Sequence, residues 1–148
     1  MASTYLSLHY HLVFSTRNRE PLIGGDFRPR LHEYLAGTVL GLKGRCRAVG
    51  GTTDHVHLLV GLGATHTLAD FMRELKKSSS KWIHETIPQP SFGWQEGYAA
   101  FTVSASGTDE VKACIANQEE HHRKRSFHDE LKAMLEKSGV VYDPQYLD

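Results

Sequence analysis

Only two cysteines, Cys46 and Cys114, occur in 148 residues. So few thiols exclude a disulfide framework and a four-cysteine zinc site, and both are expected to be free. No run of about 18 apolar residues offers a membrane span. The N-terminus, MASTYLSLHYHLVFSTR, has no basic leader ahead of an apolar stretch, and it alternates instead of running apolar. That excludes a secretory signal and predicts a cytoplasmic protein with no membrane partner. Net charge is also lacking, with 17 Lys and Arg against 17 Asp and Glu, so the global charge gives no support to a nucleic-acid partner. There is no internal repeat, low-complexity tract or linker. The length predicts one domain over residues 1–148 with a core of its own.

Charge is present locally. Arg17, Arg19, Arg28 and Arg30 cluster early, Arg73, Lys76, Lys77 and Lys81 in the middle, and Arg123, Lys124 and Arg125 late. The segment from Ser126 to Asp148 offsets them with five acids against two lysines. This segregation is compatible with one basic face, although each patch alone also fits a solvated surface.

Period-2 alternation of Leu6, Leu8, Tyr10, Leu12 and Phe14 with Ser7, His9, His11 and Val13 predicts a first strand over 6–14. Phe27, Leu31, Tyr34, Leu35, Val39 and Leu42 recur at helical spacing, predicting helix one over 26–43. Strands over 45–52 and 54–62 follow closely enough for a tight hairpin at Gly50-Gly51 and Thr53-Asp54. Thr67, with Asp70 three residues on, fits the start of helix two, which carries Leu68, Phe71, Met72, Leu75, Trp82 and Ile83 to about Glu85. After Pro88-Gln89-Pro90 comes a fourth strand over 97–105. Ser106 or Thr108 then caps a third helix that continues through Arg125, and a further amphipathic piece covers 127–137. The order β-α-β-β-α-β predicts an α+β, ferredoxin/RRM-like plait: an antiparallel sheet with helices on one face, extra C-terminal helices, and the other face open for function.

Two stretches carry candidate chemistry. In DHVHLLV (54–60), strand periodicity puts His55 and His57 on one face and Asp54, Val56, Leu58 and Val60 on the other. Two imidazoles about 6–7 Å apart along a strand can reach one ion, or simply stand on a solvated face. In VKACIANQEEHHRKR (111–125), at about 100° per residue, Cys114, Gln118, His121 and Arg125 fall in one stripe. Gln118 offers a carbonyl oxygen that completes a two-imidazole, one-oxygen site with positions open to water and phosphate. Cys114, one turn earlier, is a candidate nucleophile or a small buried hydrophobe.

Together with HYHLVFSTRNR (9–19), WQEGYAAFTVS (94–104) and IANQEEHHRKRSF (115–127), the His55-Val56-His57 motif resembles the single-tyrosine, His-hydrophobic-His (HUH) transposases of the insertion-sequence-200-like group, including relatives associated with repeated extragenic palindromes. The likeness runs in order along nearly the whole chain. It implies a plait-fold homodimer that binds hairpin-forming single-stranded DNA and cuts and rejoins strands with Mg2+ or Mn2+. It further implies that His55, His57 and Gln118 ligate the metal, and that a tyrosine four residues before the glutamine attacks the phosphate. Cys114 occupies that position. Sulfur prefers softer centres than phosphorus, and the side chain is about 4 Å shorter than tyrosine's, so covalent strand transfer is expected to be impaired.

Three readings follow. The first is a transposase-type protein whose metal site and DNA surface persist, with Arg73, Lys76, Lys77 and Lys81 and the cluster Arg123, Lys124 and Arg125 tracking phosphates. The second is a repurposed hairpin or single-strand binder without chemistry. The third is a zinc protein unrelated to DNA, using Cys114, His55, His57 and His121.

Overall fold

A computed structural model of the protein describes residues 3–120 and 125–144. The elements are β1 (His9–Ser15), α1 (Arg28–Gly41), β2 (Arg45–Gly51), β3 (His55–Gly61), α2 (Leu68–Thr86), β4 (Ala99–Val103), α3 (Thr108–Ala116) and α4 (Phe127–Lys137). Short 3-10 turns occupy Arg17–Arg19 and Ala105–Gly107. The strands form one antiparallel sheet in the order β2-β3-β1-β4. That is the α+β plait the element order predicts. Among the described residues, no helix is long and apolar enough to cross a membrane.

Alternation decides the two faces of the sheet. Leu12 and Phe14 of β1 and Val56, Leu58 and Val60 of β3 meet α1 and α2. Helix α1 contributes Leu31, Leu35 and Val39, one stripe at four-residue spacing, and α2 contributes Phe71, Met72, Leu75 and Ile83. The buried Ser79 belongs to the same α2 stripe. Its hydroxyl donates to the Leu75 carbonyl (2.8 Å) and accepts from Trp94 Nε1 (2.9 Å), so no polar atom there is left unpaired.

The opposite face is covered, contrary to the open face expected. Helix α3 lies on β2 and β3, and α4 reaches the N-terminal half of β3. As a result β3 is buried from His55 to Val60. Ile115, 1% exposed, sits against Gly50, and a Cβ added at Gly50 would strike the backbone carbonyl of Ile115. Because that obstruction is main chain, no side-chain rotation relieves it. Gly50→Ala is expected to cost about 1–3 kcal/mol, measured by urea titration, and to push α3 off the sheet.

Several boundaries differ from expectation. β1 begins at His9 instead of Leu6, and β4 spans Ala99–Val103 instead of 97–105. The β2–β3 connection is Thr52-Thr53-Asp54, closed by Thr52 N–H to the His55 carbonyl (3.2 Å). The third helix is not continuous. It ends at Ala116, where Asn117 (ψ 25°) turns its N–H back to the carbonyls of Ala113 and Cys114, and the chain is helical again from 118 to 120. Asparagine competes with the helix through local hydrogen bonding and is common at such ends.

Candidate active site

His55 and His57 share a sheet face, with ring centroids 5.1 Å apart and planes at 76°. Neither ring is solvent-facing: the residues are 0% and 1% exposed. Each has one nitrogen held from outside. Asp54 Oδ1 lies 2.7 Å from His55 Nδ1, and Thr52 Oγ1 lies 3.2 Å from it. A carboxylate only accepts, so Nδ1 carries the hydrogen and Nε2 presents its lone pair. The sequence pattern put Asp54 on the apolar face. In fact β3 starts one residue later, which frees the carboxylate to turn back onto His55. Burial works to raise the Asp54 pKa, but the hydrogen bond from His55, together with the charge of Arg19 and the Thr52 hydroxyl, holds it below the usual carboxylate value.

His55 Nε2 faces Gln118 Oε1 at 3.1 Å. The other end of that amide donates to the Cys114 carbonyl (3.2 Å), which fixes which atom is presented. Two lone pairs therefore converge, an arrangement that calls for a positive charge between them. Neighbouring ligands around an octahedral cation with bonds of about 2.1 Å stand about 3.0 Å apart, so the pair has the spacing of two metal ligands. Among the described residues no group of three His, Cys, Asp or Glu is placed to hold a metal ion, so a cation here requires the glutamine oxygen.

His57 is fixed by a neighbour absent from the sequence-level site. His11 Nε2 lies 2.8 Å from His57 Nδ1, leaving His57 Nε2 to face Glu130 Oε1 at 3.1 Å. Burial, and secondarily the charge of His57, lower the His11 pKa to about 3 against the opposing pull of Glu130, so His11 stays neutral at neutral pH. Phe127 stacks on His55 with centroids 4.1 Å apart, and the Arg19 guanidinium lies 5.5 Å from the Phe127 centroid. Asn18 (φ 55°) and Arg19 (φ 52°) are successive non-glycine residues in left-handed backbone, a local cost characteristic of functional sites.

Cys114 lines a cavity of about 260 Å³ with His11, His57, Gln118, Arg125 and Glu130. Burial first, then Glu130 and Glu110, raise the Cys114 pKa, so the thiol is protonated at neutral pH, the opposite of an activated nucleophile. Neither Cys46 nor Cys114 is in a disulfide.

The stripe of Cys114, Gln118, His121 and Arg125 is thus only partly recovered. The first two lie together with Arg125, whereas His121, Arg123 and Lys124 lie outside the described residues. Among the described residues Cys114, His55 and His57 are not placed as a metal-holding group, and His121, the fourth ligand of the zinc arrangement, lies outside them. The basic residues of α2 are not on this face at all. The apolar stripe of α2 turns toward the far side of the sheet, so Arg73, Lys77 and Lys81 are exposed on the outer surface of that layer. Lys76 uses its three donors on the carbonyls of Gln95 (2.5 Å), Glu96 (3.1 Å) and Gly97 (3.0 Å), which ties down the loop before β4.

A second cavity, about 620 Å³, opens on the other side of Gln118 and is lined by Arg28, His32 and Glu119 among others. Burial, then the Arg28 charge, lower the His32 pKa to about 4. The folded state therefore binds fewer protons than the unfolded one between about pH 6.5 and 4. Stability is fully present above that window and drains as pH falls through it. After discounting for partial exposure, His32→Gln is expected to remove about 1 kcal/mol of the loss between pH 7.5 and 5, read from urea titrations at both values.

The sequence pattern of the family described as "Transposase IS200 like" matches residues 4–118. The ISDra2 transposase TnpA of Deinococcus radiodurans is 25% identical over 117 residues, 75% of this chain and 84% of that protein. A crystal structure assigned as a transposase from Deinococcus radiodurans superposes with TM-score 0.64 at 26% identity, covering 80% of this chain and 96% of the other. A REP-associated tyrosine transposase bound to a REP hairpin superposes with TM-score 0.61 over 97% of this chain and 93% of its own, at 14% identity, a likeness of fold alone. With the family pattern extending from the first strand through Gln118, the chain belongs to the IS200-like transposase family.

Proposed function

We propose that this transposase binds hairpin-forming single-stranded DNA and holds a divalent cation, Mg2+ or Mn2+, through His55 Nε2 and Gln118 Oε1, with His57 Nε2 joining them once Glu130 turns away from it, and that covalent strand transfer is impaired by cysteine at position 114. The observation that carries the reading is the 3.1 Å approach of two lone-pair atoms, each oriented from behind, at His55 and Gln118. When bound, the cation would polarise a phosphodiester as a Lewis acid. The protein's own part is positional. Asp54 and Thr52 fix the His55 ring, His11 fixes that of His57, and Arg125 lines the adjoining cavity, where a guanidinium suits a phosphate. The position from which the family's tyrosine acts holds a protonated thiol beside Glu130. Action as a homodimer and a cytoplasmic location belong to the same reading.

Purified protein is expected to bind a labelled hairpin oligonucleotide in fluorescence anisotropy, to bind Mn2+, and to leave the DNA uncut. Protein that becomes covalently attached to the 5′ end of a cut strand would overturn the impairment. Hairpin binding without Mn2+ binding would favour a repurposed DNA-binding protein, a reading to which Phe127 and Glu130 packing on the histidines lends weight.

A further inference from the structure

Resting on that reading, we infer that the paired stem of the hairpin is held by a second surface, formed by Lys43, Arg45 and Arg47 at the opposite end of β3 from the histidines. Arg45 pairs with Gly61, whereas His57 pairs with Gly50. The four residues from His57 to Gly61 span about 13 Å along the strand. Gly61 and His57 share a face by alternation, so Arg45 stands on the same side of the sheet as the candidate cation site. The pairing slips between Cys46 and Ala48, leaving Arg47 as the extra, exposed residue of a bulge. Lys43, at φ 68°, turns the chain into β2.

These three cations and His9 line a cavity of about 400 Å³ with no acidic residue in its wall. All three are exposed, and among the described residues none of them makes an ion pair. Four other basic groups are engaged. Arg28 pairs with Glu119, Arg73 with Asp70, Lys76 with loop carbonyls, and Arg30 lies over Trp82. His9 adds an imidazole to the same wall. Concentrated positive charge with no carboxylate in the wall fits a row of phosphates, which carry one charge per nucleotide and release counterions when neutralised. Charges on an edge strand also discourage strand pairing. That role does not call for Lys43, which lies outside the strand, and it predicts no effect on DNA.

The test compares the wild type, the triple variant Lys43→Ala, Arg45→Ala, Arg47→Ala, and the charge-keeping triple Lys43→Arg, Arg45→Lys, Arg47→Lys. The probes are a labelled hairpin DNA and an unpaired strand of equal length, titrated over a range of salt. The alanine triple is expected to weaken hairpin binding at least tenfold and to lower the slope of log K against log salt by about 2.7, the value for three lost phosphate contacts. The charge-keeping triple is expected to retain the wild-type slope, and binding of the unpaired strand is expected to change less than threefold. A wild type that binds the hairpin while the alanine triple keeps its affinity and slope overturns the inference alone. So does equal weakening for both probes. A wild type that binds neither probe overturns the proposed function and this inference with it.

Discussion

Cys114→Tyr is expected to convert a protein that leaves hairpin DNA intact into one that nicks it in the presence of Mn2+ and remains bound to the 5′ end. Removing the nucleophile of an enzyme can cost about 10⁴–10⁶ in rate while binding survives, so the reverse substitution is expected to raise nicking by at least about a hundredfold above the wild type. The expectation rests on place. Cys114 shares its cavity with His57 and Gln118, and its backbone carbonyl already anchors the glutamine amide. A phenol introduced there would enter the same cavity with the reach the thiol lacks. The raised thiol pKa, caused by burial and then by Glu130 and Glu110, argues that cysteine is no substitute at neutral pH. A gel that preserves covalent adducts reads the result. A tyrosine variant that folds, binds Mn2+ and hairpin, and still leaves the strand uncut would show that more than the nucleophile is missing, with Glu130 against His57 and Phe127 against His55 the first contacts to examine.

How far the sequence discloses this site depends on the range of the interactions involved. The order of strands and helices, and the common face of His55 and His57, follow from periods of 2 and 3.6, which are local. Gln118 was legible because four residues separate it from Cys114, although the stripe they share is interrupted at Asn117. His11 was half legible: alternation put it on the polar side of the first strand, and only the register of β1 against β3, Leu12 with Leu58 and Val13 with His57, brings it to the histidine pair. Glu130 and Phe127 gave no local signal, because they reach the site by folding a C-terminal helix back over the sheet. The basic residues of α2 lie away from the histidines for a physical reason. The buried stripe of α2 dictates which way its lysines point, and α2 packs in the layer on the far side of the sheet. Arg45, separated in sequence from the three basic clusters, comes to the histidine face through strand pairing alone.

Loss of cation binding is the second large effect expected, and its gradation separates the direct ligands from the groups behind them. His55→Ala removes an Nε2 and also the ring that Phe127 covers, so Mn2+ affinity is expected to fall more than about a hundredfold, to the limit of detection. Asp54→Asn keeps the shape but replaces a charged acceptor with an amide that can present N–H to His55 Nδ1 and favour the wrong tautomer. Losses from such outer partners run about 10–100-fold. His11→Ala leaves His57 Nδ1 without the group that orients it and is expected to fall in the same range, although His11 itself reaches no ligand position. Electron paramagnetic resonance of free Mn2+ during titration measures each affinity without reference to DNA cleavage, and hairpin anisotropy confirms that the variants are folded. If Asp54→Asn binds Mn2+ as the wild type does while His55→Ala does not, the lone pair at Nε2 does not depend on the carboxylate behind it. If both bind unchanged, the 3.1 Å meeting of His55 and Gln118 is a structural hydrogen bond carried by a protonated imidazole, and the cation site is refuted.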